Sequence, residues 1–370
     1  MEAHDDDGRS AMRAIGVAAL ALAGFVASLL PVFERADVSL LDFEWRVLRR
    51  FDARAVPDDI VIVGIDEATV RSIPEPPGIW HATLGRALSK LAAARPRAIG
   101  LAHPLPERSY EAVKPGLDRA LFDGLAAAVE GGPFVAVLNI DAGTRAAKTI
   151  HLPYLALLGE SRLGIDLAAR DVDGVARRYS LNVPTEDGGF PTLEGRLCRA
   201  LKRSCSEGLI HYAIGAPFPY VPLKNLLAMT DTVLLERLFR DRIVLVGDAQ
   251  AFTNRVDVPL NLALWESDAG HSPSIVVHAQ TLRTALAGAA PRQAPRPLVV
   301  ILLSLAALVF LMRDPRLAAV TALLLTAGIA TVAMVSLRGG VFVPVAAILF
   351  TLLLALSACV AAADRGRRKP

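Results

Sequence analysis

The sequence is poor in the residues from which reactive and metal-bound centres are built. Its 370 residues include three cysteines and seven histidines, and neither set shows metal-ligand spacing. No metal and no cofactor are therefore expected. Charge of one sign is also lacking: 40 basic residues stand against 37 acidic ones, a formal net charge of +3. That balance removes any electrostatic case for a nucleic-acid partner. The G-x-G-x-x-G, G-K-[ST] and G-x-S-x-G arrangements are missing, which disfavours an enzyme in the polar part of the chain. There is no internal repeat and no low-complexity tract. Apolar residues, at 53%, are abundant.

Four apolar runs account for that excess: Ala14–Val32, Leu298–Met312, Leu317–Leu337 and Val341–Ala363. The first is uncharged and long enough to cross a bilayer as a helix. The second is short for a span and relies on Pro297 and its flanking arginines at the interface. Between the first and second lies a polar stretch of about 260 residues, Glu34 to Arg296. The expected organisation is a cytoplasmic segment (1–13), a membrane helix (14–33), a sensor domain (34–290), three membrane helices (297–363) and a basic tail (364–370). Arg313, Arg316 and the tail residues Arg365, Arg367, Arg368 and Lys369 place the tail and the first C-terminal turn inside by the positive-inside rule. Counting back puts the large domain outside, with Arg9 and Arg13 inside. Ala21-Leu22-Ala23 has the look of a cleavage site, but an uncleaved anchor is expected. Cys198 and Cys205 would then lie in an oxidising compartment, where a disulfide and two free thiols both remain open.

Within the polar stretch the apolar pattern alternates in period. Leu40–Phe51 has helical spacing and is expected to continue from the anchor. Asp58-Asp59 opens Ile60–Ile65, a β-branched run apolar on both faces, which suits a buried central strand. Helix Ala82–Ala94, strand Ala98–Leu101, helix Leu117–Val129 and strand Phe134–Leu138 follow. This order predicts an α/β fold with a mainly parallel sheet flanked by helices. Leu163–Val183 predicts a separate turn or hairpin around Asp173-Gly174, and Leu209–Ile214 a further strand. Thr192–Leu201, Leu223–Leu227 and Ser274–Leu286 predict helices. Arg242–Val246 predicts a second apolar strand beside or near Ile60–Ile65.

Parallel sheets leave ligand crevices beyond the carboxyl ends of their strands. Asp66 and Glu67 follow the first strand, His103 the second, and Asp248 the Arg242–Val246 strand. These four are the candidate ligand-binding residues; the competing reading is that the carboxylates cap the next helix or turn. Gly247-Asp248-Ala249 lacks the glycine pattern of a phosphate loop. Asp171–Arg178 lacks the third acid and final glutamate of a calcium loop, so a tight turn with Arg177 and Arg178 paired to acids is the plainer reading. His278 is expected to be a buried, hydrogen-bonded side chain.

Taken in order, Leu41-Asp42 through Arg46, Ile60–Glu67, Asp173-Gly174-Val175-Ala176-Arg177-Arg178, Arg242–Gly247, Asp257-Val258-Pro259 and Val277-His278-Ala279 resemble the CHASE2 extracellular sensory domain family. The resemblance covers Leu40 to Gly288 and extends to the arrangement of one helix, an outside sensor and three further helices. It implies structural roles for Asp42, Trp80, Asp173, Gly174, Arg177, Arg178, Gly247, Asp257, Pro259 and His278. The chain departs from the family pattern at Trp80-His81-Ala82-Thr83, where a proline and an arginine usually follow the tryptophan. It departs again at Ala102-His103, where an aspartate usually stands. Family members commonly continue into a kinase or cyclase, whereas only seven residues follow Ala363 here. The resemblance thus implies a multi-pass receptor of the bacterial inner membrane with its domain in the periplasm, which binds an unidentified signal and relays it through its helices to a separate or missing kinase or cyclase, with a homodimer as a further arrangement. A membrane scaffold that binds an envelope protein is the alternative, and a periplasmic enzyme using Asp66, Glu67 and Asp248 is a minor one.

Overall fold

The computed structural model describes residues 2–51, 53–57, 59–140, 146–185, 188–266 and 270–367. Asp58, expected to open the first strand, and Arg368 and Lys369 of the basic tail lie outside them. The chain divides into two compact units, one of residues 1–52 with 291–370 and one of residues 53–290.

The helical unit begins with α1 (Glu2–Ala27) and α2 (Pro31–Phe51). The first apolar run is not one helix through Val32 that carries on into Leu40–Phe51. The chain bends by 79° between α1 and α2. Pro31 explains the break: it lacks an N–H and its ring clashes with the preceding turn, yet it is well placed to start a helix. Along α2, Leu41, Trp45 and Leu48 are buried, together with Asp37, Asp42 and Glu44.

In the second unit β1 (Ile60–Ile65) leads through the short α3 (Glu67–Ser72) and α4 (His81–Ala93) to β2 (Ala98–Ala102). Helix α5 (Leu117–Gly131), β3 (Phe134–Leu138), α6 (Leu152–Leu158) and β4 (Leu163–Ile165) continue the alternation. Two small antiparallel pairs come next. Strand β5 (Arg178–Tyr179) pairs with β8 (Gly208–Leu209), and β6 (Asn182–Thr185) forms a hairpin with β7 (Gly188–Pro191), with α7 (Leu193–Ala200) following the hairpin. Strand β9 (Tyr220–Pro222), α8 (Leu223–Ala228), α9 (Thr232–Phe239) and β10 (Ile243–Asp248) complete the main sheet. The pair β11 (Arg255–Asp257) and β12 (His271–Pro273) then leads into α10 (Ser274–Leu286).

The main sheet has six strands in the order β4-β3-β2-β10-β1-β9, and every adjacent pair is parallel. Val61 lies opposite Val244 and Ile62 opposite Leu245, so the two apolar runs are direct neighbours. Alternate residues fill one core: Val61 and Val63, Ile99 and Leu101, and Val244 and Val246 pack with Leu84 and Leu88 of α4 and Leu121 and Leu125 of α5. The other face carries α7 and α10. Glycine admits those helices. A β-carbon on Gly100 would stand 3.1 Å from Leu197 Cδ1, and one on Gly247 would stand 2.9 Å from Ile275 Cδ1.

Two expectations for the middle of the chain need correction. Leu163–Ile165 is not part of a separate hairpin but the edge strand of the main sheet. Leu209–Ile214 is buried yet joins no sheet beyond the β5–β8 pair and a single bridge from Ile214 to Arg54. Side chains of α10 take its backbone groups instead. Gln280 Nε2 donates to the carbonyls of His211 (2.6 Å) and Ile214 (3.2 Å), and the His211 amide donates to Thr284 Oγ1 (3.2 Å). Nothing in the segment's own composition distinguishes that arrangement from a strand.

The helical unit resumes with β13 (Arg292–Gln293), α11 (Arg296–Ala307), a 3-10 turn at Leu308–Leu311, α12 (Pro315–Arg338), β14 (Val341–Phe342) and α13 (Ala346–Arg367). Among the described residues, α12 and Ala346–Asp364 of α13 are long and apolar enough to cross a membrane, and α1 with α2 passes only as a bent pair. Val341 does not begin the last helix; β14 pairs with β13, and α13 starts five residues later, at Ala346. The first amide of α13, Ala346 N, donates to Asp37 Oδ1 at 2.7 Å.

Candidate functional site

Strands β2, β10 and β1 are neighbours, so His103, Asp248 and Asp66 stand at three consecutive carboxyl ends of the sheet, with Glu67 beside Asp66. Each acid has a local partner. Asp66 caps α3 by accepting the Thr69 amide at 2.7 Å, and Tyr220 donates its hydroxyl to the other oxygen at 3.0 Å. Burial and the Asp66 carboxylate raise the Tyr220 pKa, and its ring stacks on Trp265 with centroids 4.0 Å apart. Glu67 accepts the Ala251 amide, and Asp248 accepts Gln250 Nε2 at 2.8 Å. The four candidates share one edge, and the carboxylates there tie loops and a helix start to the sheet.

A second group of polar side chains lies behind this edge. His278 on α10 is fully buried, with Nδ1 2.6 Å from Glu194 Oε1 and Nε2 2.9 Å from Asp166 Oδ1. Glu194 sits in the first turn of α7, and Asp166 follows β4 directly. Burial lowers the imidazole pKa, but the Glu194 and Asp166 carboxylates override it and push it up to about 10. His278 is therefore an imidazolium bridging the buried Glu194 and the half-buried Asp166. Asp166 and Asp248 both act electrostatically on His103, whose pKa is nevertheless lowered by burial. Sequence reasoning missed Asp166 and Glu194. Asp166 had the signal of an acid just after an apolar tripeptide, hidden because Leu163–Ile165 was not read as a sheet strand.

Two cavities open at the same edge. One of about 540 Å³ is lined in part by Trp80, His81, His103, Tyr110 and Asn139. The other, about 470 Å³, is lined in part by Asp166, Arg170, Asn254 and Ser274. Asp66, Glu67 and Asp248 line neither. Beside the larger cavity, Asp118 accepts Ser109 Oγ at 2.5 Å and the Tyr110 amide at 3.0 Å. It lies 3.9 Å from His81 Nε2 and 3.7 Å from His151 Nε2. Burial raises the Asp118 pKa, but these hydrogen bonds and imidazoles together hold it below the usual carboxylate range.

The remaining motif residues hold local structure. Arg177, 2% exposed, donates through both terminal nitrogens to Asp173 at 2.8 Å and through Nη1 to Asp171 at 3.2 Å. Arg178 pairs with Asp171 at 3.3 Å. Gly174 takes φ +87° in this turn, which favours glycine. Val175 bridges to Asp257, so the two motif stretches meet; Pro259, two residues on, is buried. Trp80 is buried at the start of α4 and donates Nε1 to the Glu75 carbonyl at 2.6 Å. Gly247 gives α10 its approach to β10. Asp42 is buried on α2. No group of three or more His, Cys, Asp or Glu side chains placed to hold a metal ion occurs among the described residues. Cys198 and Cys205 are joined as a disulfide, which closes the end of α7 onto the loop that follows.

The CHASE2 domain family model matches residues 17–313. No curated protein and no solved structure matches the chain. The matched region takes in the whole parallel-sheet unit together with apolar helices on both sides of it. The chain belongs to the CHASE2 domain family, a family of extracellular sensory domains.

Proposed function

We propose that this protein is a sensor of the bacterial inner membrane. Its sheet domain lies outside the membrane, binds a signal molecule at the carboxyl edge of the sheet, and relays occupancy through the apolar helices to a cytoplasmic kinase or cyclase. That output module belongs to a partner chain or to a longer form of this one. The observation that carries the reading is the extent of the family match, which begins inside α1 and ends just beyond α11. A disulfide in the domain is in keeping with an oxidising compartment.

Four spans complete the proposal: α1, α11, α12 and α13. The 16 residues from Arg296 to Leu311 make roughly 24 Å of helix at 1.5 Å per residue, short of a hydrocarbon core of about 30 Å. Arg296 and Arg313 at its ends can reach the two interfaces and cover the mismatch. Arg313 and Arg316 keep the α11–α12 turn in the cytoplasm. A reporter enzyme that folds only in the periplasm should be active when fused after Gly288 and silent when fused after Pro370. Activity at Pro370 would overturn this topology. Purification of the chain with its partners should recover a kinase or cyclase; recovery of envelope assembly proteins alone would favour a scaffold instead.

A further inference from the structure

The cavity of about 470 Å³ lies between the loop that follows β4 and the start of α10, and its size is that of a small-molecule site. Leu167, Ala168 and Ala169 give it an apolar side, and Asp166, Arg170, Asn254 and Ser274 give it polar groups. Its walls are tied together. Arg170 donates Nη2 to the Arg255 carbonyl at 3.0 Å, Val175 bridges to Asp257, and the Asn254 carbonyl accepts the Ser274 amide at 2.8 Å. The polar groups are within reach of a guest. Asp166 gives Oδ1 to His278 at 2.9 Å, while Oδ2 has no partner among the described residues and 18% of the side chain is exposed. Nε and Nη1 of the exposed Arg170, the side-chain amide of the exposed Asn254 and the hydroxyl of the half-buried Ser274 also have none among the described residues.

Charge restricts the guest. Asp166 and Arg170, the two charged side chains of the lining, have opposite sign. Among the described residues they form no ion pair with each other; Asp166 pairs with His278 instead. The charges behind the lining are engaged: Glu194 by His278, Asp171 by Arg177 and Arg178, and Arg255 by Glu266. Asp257 is paired with His271, and Asp248 accepts Gln250. A purely anionic guest would cover the Asp166 carboxylate without compensating it, and a purely cationic one would do the same to the Arg170 guanidinium, at a cost in either case. A guest with both charges compensates both through charge-assisted hydrogen bonds. Resting on the sensor reading above, we propose that this cavity is the signal site and takes a free amino acid with an apolar side chain. Its ammonium group donates to Asp166 Oδ2, its carboxylate accepts from the remaining N–H groups of Arg170, and its side chain lies along Leu167, Ala168 and Ala169. Asn254 and Ser274 add neutral hydrogen bonds to the two charged ends.

The probes are L-alanine, L-valine and L-leucine, each beside the carboxylate that lacks its amino group and the amine that lacks its carboxyl group. They are titrated against the full chain in lipid nanodiscs, with empty nanodiscs as the blank. At least one amino acid should bind at millimolar concentration or below, with both single-charge counterparts at least about tenfold weaker, a gap of about 1.4 kcal/mol. This comparison needs no variant. Arg170→Glu alters an exposed side chain and should invert the order: the amino acid weakens by about tenfold or more, and the matching amine overtakes it. Absence of binding by all three amino acids, a single-charge counterpart that binds as well as its amino acid, or an unchanged order in folded Arg170→Glu protein would each overturn the proposal. The sensor reading fails separately, through reporter activity at Pro370.

Discussion

His278 holds a positive charge at a position only 1% exposed in the sheet domain. Its two carboxylate partners are tolerated where they are because the imidazolium neutralises part of their charge and fills a hydrogen bond on each. His278→Ala should leave Glu194 and Asp166 uncompensated and destabilise the domain by about 3–5 kcal/mol, read from chemical denaturation of the full chain in micelles. The pH dependence has a definite sign. The folded pKa of about 10 lies above an unfolded value of about 6.5, so the stabilisation is fully present below about pH 6.5. It declines as pH rises and is lost through the folded pKa near 10. The parent should therefore lose more stability than a His278→Ala variant between pH 7 and 10. Parallel curves for the two proteins would contradict the buried imidazolium. At Arg177 the charge is equally deep, but its partners Asp171 and Asp173 come from one tight turn, so the motif stabilises a loop and not the centre of the fold.

Helices α4 and α5 pack more closely than side chains normally permit. Gly85 lies against Gly124 and the Ala120 carbonyl, and a β-carbon at either glycine would overlap the backbone of the facing helix. Gly124→Val should force the pair apart and cost about 1–3 kcal/mol or more. A Gly124→Val protein with the parent's denaturation curve would show that the crossing has slack. On the opposite face, α10 is buried along nearly its whole length, including Gln280, Thr281, Arg283 and Thr284. Gln280, Arg283 and Thr284 bond irregular backbone that a sheet would otherwise satisfy, and Arg283 lies over the Phe218 ring at 3.7 Å. An α10 of apolar residues alone would leave the carbonyls of His211 and Ile214 without those donors.

At the scale of the whole molecule, the disulfide and the direction of the chain through the membrane are linked expectations. A maleimide reagent applied to cells with a permeable outer membrane should label Cys198 and Cys205 only after reduction, while Cys359 is buried among apolar helices. Labelling before reduction would argue for a reducing compartment. Replacing both cysteines by serine should cost about 2–3 kcal/mol by the loop-entropy estimate for so short a closure. Within the helical unit, Asp37 on α2 accepts the first amide of α13, so the helix after the bend is attached to the last apolar helix. Asp37→Ala should loosen that attachment by about 1 kcal/mol, detectable as faster hydrogen exchange at Ala346.

Sequence alone determined the four inner strands of the parallel sheet, because fully apolar β-branched runs such as Ile60–Ile65 and Ile243–Val246 suit a strand covered on both faces, whereas the short edge strands β4 and β9 were not legible in it. Regular helical spacing likewise gave α4, α5 and α10 nearly to the residue. Sequence order placed Asp66, Glu67, His103 and Asp248 at strand ends, hence at one edge. Only the tertiary structure decided what those ends do. Asp166 and Glu194 meet His278 across 112 and 84 residues of chain, and no local pattern encodes such a separation. The irregular path of Leu209–Ile214 depends on donors from α10, so its own composition reads as strand. The late start of α13 follows from partners elsewhere in the helical unit, β13 for Val341–Phe342 and Asp37 for the Ala346 amide, and hydropathy misses it because it measures the affinity of a segment for lipid and not the direction in which its backbone runs.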